Sequence, residues 1–148
     1  MYITEAVKNP IILNESLISK FKEKPFEGKF ADMKLVIMKH KTDNVDPERI
    51  ISYIETNIFP QLESILDHIS EKYRPLIYKN NPKKFKDKVY KSCKSLILSR
   101  ELVGGKFVLS TTCLMTNTEI IFKGYISDDG QDINFKLFDV VTTTYMIV

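Results

Sequence analysis

From residue 106 onward, apolar and polar side chains take turns. KFVLSTTCLMT, TEIIFKGYIS and DINFKLFDVV place β-branched and aromatic residues at a spacing of two. That is the period of a strand with one buried face. Asp129-Gly130 predicts a tight hairpin turn between the second and third of these strands, and Asn117 a looser turn between the first and second. TTTYMIV, residues 142–148, reads as a last strand whose apolar end tucks into the sheet. Upstream, KFADMKLVIMKHK (29–41) has the same character. Phe30, Leu35 and Ile37 fit one face of it, with a bulge at Ala31–Met33.

Between these strands the period changes. Ile50, Ile51, Ile54, Ile58, Leu62, Ile65, Leu66 and Ile69 recur every three or four residues, which is one face of a long helix. Asp46 suits the N-cap, Pro47 the first helical position and Glu48 the first turn. Pro60 lies inside the pattern. It has no N–H and clashes with the preceding turn, so a kink or break is expected near Thr56–Phe59. After a turn at Asn80-Asn81-Pro82, the positions Phe85, Val89, Cys93, Leu96 and Ile97 form a second apolar stripe, with Lys84, Lys88, Lys91 and Ser95 on the opposite side. Gly104-Gly105 stops that element. Nearer the N-terminus, NESLISKFK (14–22) fits a short helix capped by Asn14, and PFEG (25–28) a turn. The expectation is a single α+β domain over residues 1–148: an antiparallel sheet of about four to five strands, with two main helices (about 46–72 and 82–102) packed on one face.

Composition adds bounds. With 43% hydrophobic and 28% charged residues the chain reads as globular rather than disordered. No apolar run approaches the ~20 residues of a membrane span, and the first residues lack a secretory layout. A cytoplasmic protein is expected, with no membrane partner. Cys93 and Cys113 are not in a CxxC pair and are flanked by apolar neighbours, so they read as buried thiols in a reducing compartment. The net charge is +3, and only Arg49, Arg74 and Arg100 of the 22 basic residues are arginine. Lysine attracts polyanions but reads them poorly.

The chain carries no P-loop, GxGxxG, HExxH or GxSxG. His40 and His68 show no spacing that implies a metal, so no cofactor, metal or catalytic residue is assigned. His68 sits at the boundary of the long helix's apolar stripe. Seven lysines crowd residues 79–94: Lys79, Lys83, Lys84, Lys86, Lys88, Lys91 and Lys94. The plain reading is the solvated side of an amphipathic helix. Lys84 and Lys88 repel each other at i,i+4, and acids of the preceding helix (Glu55, Glu63, Asp67, Glu71) are the natural counter-charges. The alternative reading is a nucleic-acid-associated protein, of phage or mobile-element origin, with its polyanion site on these seven lysines. Tyr78 and Tyr90 would then be there to stack, and binding would go through phosphates with steep salt dependence.

Three stretches in order, KPFEGKFADMKLVIM, TDNVDPERI and EIIFKGYISDDGQDINFKLFDV, give residues 12 to 140 an outline. It resembles the small bacterial immunity-type domains of polymorphic toxin and contact-dependent inhibition systems, although a "GGH"-like segment seen in some of them is missing here. The resemblance implies a non-enzymatic module that binds one cognate protein toxin and blocks it. Nuclease toxins are usually basic and call for an acidic partner surface; with a net charge of +3 here, either the partner is acidic or the docking face is the acidic long helix. The residues that would supply an acidic face are Asp43, Asp46, Glu48, Glu55, Glu63 and Asp67.

Overall fold

The computed structural model describes residues 18–22, 25–38 and 42–143. Among the described residues, six strands form one sheet whose spatial order follows the chain: β1 (Ile18–Lys22), β2 (Lys34–Met38), β3 (Cys93–Arg100), β4 (Phe107–Cys113), β5 (Thr118–Ile126) and β6 (Ile133–Thr142). Between β2 and β3 come α1 (Pro47–Tyr53), a π-helical turn (Ile54–Ile58), α2 (Phe59–Lys72) and α3 (Pro82–Lys91). The α+β class is as expected, but the sheet is mixed. β2 and β3 pair in parallel, and every other neighbouring pair is antiparallel. The cause is the helical crossover. It returns the chain to the starting end of the sheet, so the next strand runs the same way as the last.

The helix expected over 82–102 is corrected. α3 ends at Lys91, and Cys93–Arg100 is a central strand. A bulge between Cys93 and Leu96 explains the misleading pattern. The extra residue places Cys93, Leu96 and Leu98 on the buried face, and the three-residue step from 93 to 96 imitates a helix. Ile97 points the other way and is 39% exposed. The short helix expected over 14–22 is likewise overturned where the structure describes it. Ile18–Lys22 is β1, paired antiparallel to β2. Five residues gain more backbone hydrogen bonds on a sheet edge than as an isolated helix. Asn14 and the end of TTTYMIV, from residue 144, lie outside the described residues, as do His40 and the end of the 29–41 segment.

Pro60 breaks the long helix where its chemistry requires. The Phe59 N–H reaches back five residues to the Ile54 carbonyl, so the π-helical turn absorbs the missing proline donor and α2 starts afresh. Asp46 caps α1, its Oδ1 accepting from Glu48 N at 3.1 Å, and Asn81 caps α3, accepting from Lys84 N. The β4–β5 and β5–β6 turns fall where expected, with Asn117 at φ 52° and Gly130 at φ 76°; Gly104 and Gly105, expected to stop a helix, instead lie in the turn of the β3–β4 hairpin.

The core lies between the helices and one face of the sheet. Ile54, Ile58, Leu62 and Leu66 meet Leu35, Ile37, Leu96, Leu98, Leu109, Ile120 and Phe122, all buried. An aromatic cluster closes one side. Phe30 stacks on Phe59 with centroids 4.2 Å apart, Phe26 meets Phe59 edge-on at 4.8 Å, and Phe30 lies 5.5 Å from Tyr90. These contacts seat the Phe26–Phe30 turn against α2 and α3.

Residues 42–46, which lead into α1, are pinned to two hairpins. Asp43 forms an ion pair with Arg100 at 2.9 Å. Asn44 Nδ2 donates to the Asp128 carbonyl at 2.6 Å. The Asn44 carbonyl also fills the space that a Cβ on Gly130 would need. Glycine at the β5–β6 turn therefore serves both the backbone twist and the close approach.

Candidate interaction surfaces

Two of the open grooves among the described residues lie beside the helices. The first, about 530 Å³, runs between α1 and the β5–β6 hairpin; its lining includes Asp46, Glu48, Arg49, Ser52, Asn57 and Gln131. Its walls are tied together. Arg49 Nε donates to the Gln131 carbonyl at 3.2 Å. The Tyr53 hydroxyl takes a hydrogen bond from Phe135 N at 2.8 Å and gives one to Phe135 O at 3.4 Å. With the Asn44–Asp128 bond, these bonds fix α1 against the hairpin. Glu55, Thr56 and Asn57 of the π-helical turn stand exposed beside it.

The second groove, about 540 Å³, separates α2 from α3 and includes Lys29, Asp67, Glu71, Arg74, Lys83, Lys86 and Asp87 in its lining. Here the expected counter-charges meet. Lys86 lies 3.2 Å from Asp67, and Lys29 3.3 Å from Glu63. The Tyr90 hydroxyl donates to Asp67 Oδ1 at 2.7 Å and reaches the Glu63 carbonyl at 3.2 Å. Burial pushes the Asp67 carboxyl up, but the hydrogen bonds from Tyr90 and Lys86 outweigh it and hold it below its ordinary value. Burial, then the bond to Asp67, drives the Tyr90 phenol well above its own.

A depressed folded value means that Asp67 adds stability above the unfolded carboxylate range and loses it as pH falls through the folded value. Tyr90→Phe keeps the buried ring and removes the donor. It should cost about 1 kcal/mol at pH 7, and the gap to wild type should narrow below pH ~4. Urea denaturation at pH 7 and pH 3 checks this. An equal gap at both pH values would show that the Tyr90–Asp67 bond is not what holds the carboxyl down.

The six acids therefore do not share one surface. Asp43 is buried on Arg100, apart from the other five. Asp46 and Glu48 line the first groove and Glu55 stands exposed on the π-helical turn. Glu63 and Asp67 are engaged with Lys29, Lys86 and Tyr90. The seven lysines divide too. Lys79, Lys83, Lys84 and Lys91 are exposed, and Lys88 is half-buried. Lys94 is exposed but belongs to β3. Tyr90 is only 5% exposed, and Tyr78 packs its ring 5.1 Å from that of Phe85. The stacking role considered for Tyr90 is thereby excluded.

His68 is exposed on α2 and not at a buried boundary. Among the described residues, no group of three or more His, Cys, Asp or Glu side chains is placed to hold a metal. Among them too, no helix is long and apolar enough to cross a membrane. Sequence reasoning missed Arg49, Tyr53 and Gln131 because the side chains of Arg49 and Tyr53 bond to backbone groups of Gln131 and Phe135, 82 residues away, and no local pattern marks such bonds. No family model, curated protein or solved structure matches the chain.

Proposed function

We propose that the chain is a non-enzymatic protein-binding module of the immunity type, which binds a cognate protein toxin and blocks it in the cytoplasm of the producing bacterium. The observation that supports this reading is the groove between α1 and the β5–β6 hairpin. Its walls are braced by hydrogen bonds before any partner arrives, and Asp46 and Glu48 line it with Glu55 close by in the chain. A rigid surface loses little conformational freedom on binding, and acids at its rim speed capture of a basic partner.

The test is capture of the partner from host lysate at low and high salt, followed by binding kinetics with the purified partner. One stoichiometric protein should survive high salt. Glu48→Lys/Glu55→Lys should weaken its binding at least about ten-fold, chiefly through a slower association rate. Asp46 is left alone because it caps α1. Unchanged kinetics in the double variant would remove this groove from the reading.

One observation favours a second reading. Lys79, Lys83, Lys84, Lys91 and Lys94 all stay exposed, so a nucleic acid could be held through its phosphates. Co-purified nucleic acid that is lost at high salt, with no protein partner, would move the assignment there.

A further inference from the structure

Cys93 is the first residue of β3 and Cys113 the last of β4, and the two are registered opposite each other across the antiparallel pair. Their sulfurs lie 3.2 Å apart, and both residues are buried as free thiols. Val89, in the last turn of α3, offers its carbonyl to both, 3.3 Å from Cys113 and 3.7 Å from Cys93. The Ser92 hydroxyl lies 3.5 Å from the Cys113 sulfur. Neither groove uses this cluster.

We propose that Cys93 and Cys113 form a reversible intramolecular disulfide, a modification site that a small hydroperoxide oxidises. A disulfide requires S–S of about 2.05 Å, so the sulfurs need approach by only about 1 Å. The bulge beside Cys93 leaves the strand start irregular enough to supply that movement. The pair sits at strand ends, next to exposed Lys94 and Leu114. Such ends open more readily than strand centres, and hydrogen peroxide is small enough to enter.

The order of steps follows from the hydrogen bonds. Cys93 donates to Cys113. That bond lowers the Cys113 thiol against the effect of burial, with help from Ser92 and Thr116, whereas Cys93 is pushed up. Cys113 therefore ionises first. Its thiolate attacks one peroxide oxygen, the O–O bond breaks, and the departing hydroxide takes up the thiol proton and leaves as water. Cys113 is now a sulfenic acid. The Cys93 sulfur, giving up its proton, displaces the sulfenic oxygen as the second water. Two electrons have passed from the sulfurs to the peroxide. A thiol reductant reverses the bond by exchange.

The experiment treats the intact protein with hydrogen peroxide, unfolds it in the presence of an alkylating agent, and measures mass and free thiols. Both thiols should disappear together, and non-reducing electrophoresis should show a single chain. Dithiothreitol should restore both. The oxidised protein should also melt several degrees higher, because the bond closes a loop of about 20 residues in the unfolded chain. Two thiols that persist, a cysteine that gains oxygen without joining its neighbour, or a disulfide-linked dimer would each overturn the proposal. No cysteine variant is required, so a failure to fold cannot obscure the result.

Discussion

Gly124→Ala should destabilise the protein by about 3 kcal/mol or more, a larger effect than its single methyl suggests. Gly124 lies on β5 opposite Phe135 of β6. A Cβ there would fall on the Asn134 carbonyl oxygen and stand 2.6 Å from Phe135 Cα. These are backbone atoms of the neighbouring strand. They cannot rotate away as the end of a flexible side chain would, so β6 must shift or detach. The effect should reach the first groove as well, because Phe135 supplies both backbone groups that hold the Tyr53 hydroxyl. Urea titration would show a lowered midpoint, and amide exchange would show Phe135 losing protection. Gly28→Ala is the control. Gly28 has a positive φ of 72°, but nothing lies within 4 Å of the place its methyl would take, so only the backbone penalty of about 1–2 kcal/mol applies. Equal losses in the two variants would mean that β6 yields freely at Gly124.

Much of this architecture is legible in the chain, and its failures have local causes. The long helix is announced by eight aliphatic positions, and Pro60 marks its interruption. Asp129-Gly130 and Asn117 mark turns because each allows a positive φ. Cys93–Arg100 is misread because a bulge and an interior position give KSLIL a spacing that suits either structure. The parallel pair is hidden for another reason: strand direction is set by a crossover of more than 50 residues, not by either strand alone. The same division holds for the candidate sites. Asp67 and Lys86 meet because adjacent helices with opposite charge pack side by side, which charge pattern suggests. Asp43 looks like a surface acid because its neighbours are polar. Its burial comes from Arg100, 57 positions later. The pairing of Cys93 with Cys113 is likewise a matter of strand register, and two isolated cysteines in a sequence say nothing of it.

Arg100→Met should cost about 3 kcal/mol, the low end of the range for breaking a buried ion pair. The asymmetry of the pair sets this figure. The Asp43 side chain is 1% exposed, whereas that of Arg100 is 31% exposed, so part of the interaction is already screened by water. Arg100 nevertheless makes three contacts at once. Its Nη2 meets Asp43 Oδ1 at 2.9 Å, its Nη1 donates to the Gly105 carbonyl at 3.2 Å, and its guanidinium carbon lies 4.3 Å from the Phe107 ring centroid. It thus joins the β3–β4 hairpin to the residues that lead into α1. Methionine keeps much of the stem's packing on Phe107 and removes the charge and the donors. Asp43→Asn should cost less, about 2 kcal/mol, since Arg100 can turn toward solvent while the amide still fills the site. The double variant separates pairing from packing. If the ion pair carries the effect, the losses should fall short of additive by about 1–3 kcal/mol in a double-mutant cycle read by urea denaturation. Simple additivity would assign the Arg100 effect to Phe107 and Gly105 instead. In either case the groove beside α1 should respond, because residues 43 and 44 set where that helix begins.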